Sequence, residues 1–370
     1  LKTERAVSMI AIAAHGIPSV FRNDTMAQAE AAKPATLAGR EDWRKIPLVT
    51  IDPPDAKDHD DAVCAEPDAG KGNPGGYVIS VAIADVAHYV TPSSALDREA
   101  LVRGNSVYFP DRVVPMLPER ISNDLCSLRP NEDRPALAVR MVIAADGRKL
   151  SQTFQPLYDA YDALKRARSE RAPLDLDLPE RKIVLKADGT VDRVMVPERL
   201  NAHRLIEEFM ILANVAAAET LEKARVALVY RVHDEPSMEK LHALREFLQT
   251  LDISLAKSGA LRPQQFNRIL AAVKGRDNEQ LVNEVVLRSQ AQAEYSAQNY
   301  GHFGLNLRRY AHFTSPIRRY ADLIVHRALI RALGLGPDGL PDDMDVKALT
   351  EIAAQISAAE RRAMVAERET

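Results

Sequence analysis

The chain has 370 residues, a formal net charge of −3 from 49 Lys and Arg against 52 Asp and Glu, and two cysteines, Cys64 and Cys126. This length buries a large core and holds one big domain or two ordinary ones, and the near balance of charge marks no partner by itself. The cysteine count excludes a disulfide framework and points to a reducing compartment, and no uninterrupted apolar run approaches the roughly 20 residues that span a bilayer.

The first residues, Leu1-Lys2-Thr3-Glu4-Arg5, show neither a signal peptide nor an initiating Met, so the sequence reads as a piece of a longer protein. Val7 to Ala14 is predicted helical, broken at His15-Gly16-Ile17-Pro18. Asn23-Asp24-Thr25 is a predicted cap for a short helix reaching Ala32. Ile46 to Ile51 is a predicted strand. Asp68 to Gly76 is a loop, and the apolar, β-branched run Tyr77 to Ala84 is a predicted buried strand lying beside Leu48 to Ile51. Leu137 to Ala144 is a further strand turned at Asp146-Gly147, and Ile183 to Val196 a hairpin around Asp188-Gly189. From about Asn201 helices take over: His203 to Ala224, Ser237 to Leu251, Arg262 to Ala272, Gln280 to Ala291, Pro316 to Leu333 and Val346 to Arg368. Strands first and helices later, without alternation, predict an α+β fold: a mixed β-sheet from the first half surrounded by helices mainly from the second.

The stretch Asp52 to Asp61, Asp-Pro-Pro-Asp-Ala-Lys-Asp-His-Asp-Asp, sets five carboxylates between the apolar run Leu48 to Ile51 and the pair Ala62-Val63. Pro53 and Pro54 remove two donors and fix φ, so the strand ends at Asp52 and the chain turns. Asp58, Asp60 and Asp61 then fold back towards Asp52. Carboxylates this close repel one another, and burial sharpens the repulsion, so the arrangement calls for a cation. All-oxygen ligands suit Mg²⁺ or Mn²⁺, whereas the glycine and closing glutamate of a calcium-binding EF-hand loop are missing. An exposed acidic turn is the plainer reading, which the apolar flanks oppose.

Two later stretches carry chemistry. In Arg308 to Tyr320, Ser315 before Pro316 predicts an N-cap, so a helix starts there with free N–H groups and its positive dipole end. Arginines and aromatics beside such an end make a site for a phosphate and stacked bases. Arg318 in a first helical turn opposes the dipole, which speaks for contact with a phosphoryl oxygen over helix stabilisation; a capped helix with a solvated basic face is the alternative. Arg103 to Pro118, dense in Pro and apolar residues, is a rigid loop in which Phe109 is assigned to the core and Tyr108 stays open between packing and a ligand. An acidic cation site and an arginine-rich turn together point to hydrolysis or transfer at a phosphodiester.

Ile51-Asp52 through Asp58-His59-Asp60-Asp61-Ala62-Val63, Val81 to Val86, Leu125-Cys126-Ser127-Leu128 and His312 to Leu323 together resemble the RNB catalytic domain of the ribonuclease II and ribonuclease R family. The resemblance covers nearly the whole chain. Val107 to Pro110 and Arg231 to Pro236 are most similar to its bacterial ribonuclease R branch. It implies a catalytic domain over residues 41–370, a lead-in segment over 1–40, and the absence of the flanking OB-type cold-shock and S1 domains. It implies a magnesium-dependent exoribonuclease, with Mn²⁺ as substitute, that digests single-stranded RNA from the 3′ end to nucleoside 5′-monophosphates in RNA degradation and quality control. Such an enzyme would be cytoplasmic and monomeric, with no membrane and no obligate protein partner.

Carried over by position, Asp52, Asp58, Asp60 and Asp61 match the catalytic, metal-binding aspartates. Asp52 and Asp61 would be ligands, and loss of Asp60 should stop chemistry while leaving RNA binding. Tyr108 matches the aromatic stacked on the terminal base, Arg318 the arginine on the scissile phosphate, and Glu367 a glutamate near the leaving nucleotide. Ser315, Arg319 and Tyr320 join Tyr108 and Arg318 as RNA-binding residues, and contacts to the 2′-hydroxyl would select RNA. Two departures stand out: leucines in Leu174 to Leu178 replace a second clamping aromatic, and a stretch the family carries between Gln155 and Pro156 is missing. Two other readings remain, an RNB-fold protein that binds RNA or a protein without cutting, and a metal-dependent phosphatase. All four aspartates and Arg318 argue against the first, and a phosphatase would need no stacking tyrosine.

Overall fold

The computed structural model describes residues 6–53, 56–144, 155–176, 181–186, 190–198, 200–255 and 261–370. Helix α1 (Ala6–Ala14) stops where Gly16 takes a φ of 59° and the Ile17 N–H turns back to the Ile12 carbonyl. Helix α2 (Asn23–Ala31) includes the Asn23 expected to cap it. The strand expected over Ile46 to Ile51 shrinks to one antiparallel bridge, Val49 with Val63. Pro47 has no N–H to contribute and Pro53 ends the extended run, which leaves Val49 to exchange both bonds with Val63. The neighbour of the buried strand is therefore β1 (Asp61–Pro67), paired antiparallel with β2 (Tyr77–Ala84), Asp61 opposite Ile83.

Helices α3 (Val86–Tyr89) and α4 (Ala95–Arg103) lead to the short antiparallel strands β3 (Val107–Tyr108) and β4 (Val113–Val114). A π-helix, Arg120–Leu125, precedes β5 (Ala136–Ile143). The main sheet is β1-β2-β5, and its middle strand buries Ile79, Val81 and Ile83 completely, as its nearly continuous apolar run, interrupted at Ser80, predicts. Helix α5 (Gln155–Arg171) packs on β1 and β2, and β6 (Lys182–Leu185) with β7 (Val191–Met195) form the expected hairpin. The turns predicted at Asp146-Gly147 and Asp188-Gly189 lie outside the described residues. The second half runs α6 (Asn201–Ala224), β8 (Tyr230–Val232), α7 (Met238–Gln249), α8 (Pro263–Val273), α9 (Glu279–Ser289), β9 (Glu294–Ser296), α10 (Tyr320–Leu333) and α11 (Val346–Arg368). This is the expected α+β arrangement, except that the main sheet is antiparallel throughout rather than mixed.

Helix α10 is the axis of the main core: every residue from Tyr320 to Ile330 is buried. A helix enclosed on all sides must find partners for its polar members, and two of them do so through one part of their side chains, while His326 Nδ1 and Arg327 Nε have no hydrogen-bond partner. His326 Nε2 donates to the Phe313 carbonyl at 2.7 Å, and Arg327 meets Asp97 at 2.8 Å. A second cluster in α7, α8 and α9, around Leu248, Phe266 and Val286, takes Leu174 and Leu176 as partners, so those leucines pack between helices; Asp177 and Leu178 lie outside the described residues. In a third, Ala11 and Ile12 of α1 meet Val107, Phe109 and Ala366, which places Phe109 in the core as expected. No helix among the described residues is long and apolar enough to cross a membrane.

Candidate active site

The Val49–Val63 bridge closes the acidic stretch into a loop against the end of the sheet. At its base the Asp60 carbonyl accepts the Ala84 N–H of β2, so this residue is anchored before its side chain acts. That carboxylate, 3% exposed, accepts the Ser315 hydroxyl at 2.6 Å and the Ile317 N–H at 2.9 Å. Arg318 Nε stands 2.9 Å from Asp58 Oδ2 and 3.5 Å from Asp60 Oδ2, and its Nη2 donates to the Asp58 carbonyl at 3.0 Å.

The expected helix start at Ser315 is thereby corrected. The Ser106 N–H bonds the Arg318 carbonyl and the Tyr320 N–H bonds the Gly104 carbonyl, both at 2.9 Å, which leaves Arg319 extended at φ −139° and begins α10 only at Tyr320. Arg318 thus belongs to a turn, and the anion served by the turn's Ile317 N–H is Asp60 rather than a phosphate.

Burial pushes the Asp60 carboxyl up to about 7, with Arg318 pulling the other way. Asp61 also rises to about 7, through burial first and the charge of Asp52 second. Asp52 is in turn held by His59 Nδ1 at 2.8 Å. The four aspartates therefore separate into Asp58 and Asp60, both bonded to the arginine turn, and Asp52 and Asp61, which repel each other. That second pair fits a hard dication, because all its donors are oxygens and its excess negative charge is what a cation removes. Among the described residues no group of three or more His, Cys, Asp or Glu is placed to share a metal. Two carboxylates leave positions for water and phosphate oxygens, as is usual for Mg²⁺.

Beside Arg318 opens a cavity of about 260 Å³ walled by Tyr108, Tyr295, Ser315, Arg319, Ile356 and Glu360. Tyr108 is 43% exposed, so its side chain is accessible beside the cavity. Its hydroxyl is pushed up to about 12 by burial, against the pull of Arg318. Glu367 Oε1 accepts the Tyr108 N–H at 2.9 Å, so this glutamate holds the backbone that carries the ring. Arg319 donates twice to the fully buried Asp322, at 2.7 and 2.8 Å. Tyr320, expected among the RNA contacts, is 2% exposed and donates its hydroxyl to Asp97 at 2.8 Å, which places it in the core.

Sequence reasoning missed Tyr295 and Glu360. Glu360 pairs with Arg231 at 2.6 Å, and Arg231 covers the Tyr295 ring at 4.7 Å. The available signal was the spacing of Glu360 and Glu367, two turns apart on one face of α11. His233, beside Arg231, is structural: Nδ1 accepts the Gly304 N–H at 2.8 Å and Nε2 meets the Ala291 carbonyl at 2.9 Å.

The acidic loop at the sheet end is thus completed by an arginine turn 260 residues later. The RNB domain family model matches residues 40–156 and 148–334, and the chain belongs to that family. The junction of the two matched segments falls where the missing stretch was placed. Ribonuclease R of Escherichia coli K12 is 37% identical over 408 residues, covering 97% of this chain and 50% of its own length. Ribonuclease R of Vibrio parahaemolyticus is 38% identical over 363 residues, covering 87% and 43%. The solved structure of Mycoplasma genitalium ribonuclease R in complex with ribose-methylated single-stranded RNA matches with a TM-score of 0.86 at 28% identity, covering 98% of this chain and 62% of that one. The chain spans about half the length of the curated relatives it matches.

Proposed function

We propose that this chain is the catalytic domain of a magnesium-dependent exoribonuclease that removes nucleoside 5′-monophosphates from the 3′ end of single-stranded RNA. The observation that carries this reading is Arg318, held between Asp58 and Asp60 beside a cavity rimmed by an exposed tyrosine. Residues 41–370 form the catalytic unit and 1–40 its lead-in, in a cytoplasmic, monomeric protein. The capture of Mycoplasma genitalium ribonuclease R with single-stranded RNA supports the choice of ligand.

In this reading the Tyr108 ring stacks on the terminal base, and Glu367 sets its place through the backbone. Arg318 donates to the oxygens of the scissile phosphate as charge develops on them. Asp58 orients that guanidinium, and Asp60 holds the turn that carries it. Asp52 and Asp61 would hold the dication, Mg²⁺ or Mn²⁺, which when bound lowers the pKa of a water and offsets phosphoryl charge. Cleavage with the phosphate retained on the departing nucleotide leaves a new 3′-hydroxyl on the shortened RNA.

The test is digestion of 5′-labelled single-stranded RNA by the chain and its Asp60→Asn form, with Mg²⁺ or with EDTA. A ladder shortening from the 3′ end, release of nucleoside 5′-monophosphates, and no products with EDTA or with the variant are expected. Tight RNA binding by both forms without cleavage would favour the non-cutting reading, and free phosphate as product would favour a phosphatase.

A further inference from the structure

Ser127, just after the π-helix, has no exposed surface, and its hydroxyl is directed at the acidic loop rather than at its own helix. Its Oγ donates to the Lys57 carbonyl at 2.8 Å and accepts the His59 N–H at 3.1 Å. The next residue adds a bond from the Leu128 N–H to the His59 carbonyl at 2.9 Å. One hydroxyl, able to donate and accept at once, thus satisfies the backbone on both sides of Asp58; an alanine would leave both groups to find other partners.

The π-helix explains how this residue reaches the loop. The Cys126 N–H bonds back to the Ile121 carbonyl at 2.9 Å, five residues earlier, and such wide turns often re-aim the chain at functional sites. The side chains held by the clamp point both ways: Asp58 to Arg318 at 2.9 Å, and His59 to Asp52 at 2.8 Å.

We propose that Ser127 is a positioning residue for phosphodiester cleavage, acting through the backbone of residues 57–59 to set Asp58 against Arg318 and His59 against Asp52. This rests on the exoribonuclease reading. The test uses the whole chain and its Ser127→Ala form, with Ser122→Ala as control. Ser122 is similarly buried, but its hydroxyl bonds the Pro118 carbonyl and Asn123 and does not touch the loop.

Three quantities are measured: steady-state degradation of single-stranded RNA with Mg²⁺, RNA affinity in EDTA, and amide hydrogen exchange without RNA or metal. Ser127→Ala should lower kcat by about 10- to 100-fold while KM and RNA Kd stay within about twofold, because the loss is one of orientation. The His59 amide should exchange about tenfold faster or more while β2 amides stay protected. Ser122→Ala should move none of the three.

An unchanged kcat and an unchanged His59 amide in Ser127→Ala would overturn the proposal, as would equal losses in both serine variants. If the unmodified chain degrades no RNA, the exoribonuclease reading fails, and His59 exchange alone decides whether the clamp exists. Should Ser127→Ala not fold, Ser127→Cys, with a weaker hydrogen-bonding group, replaces it with the same expected direction.

Discussion

Tyr108 shows how a single residue can be fixed and available at once. Its N–H is tied to Glu367 and its neighbours Val107 and Phe109 are buried, yet the residue as a whole keeps 43% of its surface. Stacking by such a ring is worth about 1–3 kcal/mol per base. Tyr108→Ala should therefore weaken single-stranded RNA binding by about tenfold or more, whereas Tyr108→Phe, which keeps the ring, should bind within about twofold; fluorescence anisotropy in EDTA separates the two. The chemistry of Asp52, Asp58, Asp60, Asp61 and Arg318 was legible in the sequence because carboxylates between apolar runs and an arginine beside Ser-Pro each demand a partner. Tyr320 was misplaced because the partner that buries its hydroxyl, Asp97, is 223 residues away. Glu360 was missed because its pairing with Arg231 spans 129 residues.

Among the elements, the helices were the easier to read, since their apolar spacing repeats over many residues, and α6, α7 and α11 lie within a few residues of their predicted bounds. Helix α4 had a readable start that went unused: Ser94, three residues before Asp97, accepts the Asp97 N–H. The start of α10 had no local sign. Pro316 suits a first helical turn, but the pairing of residues 318–320 with 104–106 takes the backbone instead, a tertiary contact that local propensity does not register. The same junction makes Gly104 a sensitive position. Its φ is +74°, and a Cβ there would lie 2.6 Å from Ala359 Cβ on α11, so Gly104→Ala meets both backbone strain and a clash. We expect a loss of about 1–3 kcal/mol in thermal unfolding. RNA affinity should weaken as well, because the displaced strand carries Tyr108.

Among the described residues one large core is accompanied by two smaller ones, and the polar interior has a consequence for acid stability. Burial pushes His302 down to about 3 and lowers His233 as well, so both stay neutral in the fold at pH values where an unfolded chain, titrating near 6.5, would protonate them. The unfolded state then binds more protons, and both imidazoles remove stability as pH falls below about 6.5, His302 continuing to do so down to about 3. Asp60 and Asp61, raised to about 7, act in the opposite sense, since the stability they contribute is lost as pH rises towards 7. Melting His302→Asn beside the unmodified chain at pH 7.5 and pH 5 isolates the imidazole: the variant should lose less melting temperature on acidification. The separation of Asp58 from Arg318 by 260 residues bears on biosynthesis. A polypeptide leaving the ribosome N-terminus first carries the acidic loop through 260 residues of synthesis before the arginine that completes it is added. On the proposed exoribonuclease reading, the nascent chain has no arginine to set against the scissile phosphate until Arg318 has been added, so the activity arrives late in the synthesis of this stretch.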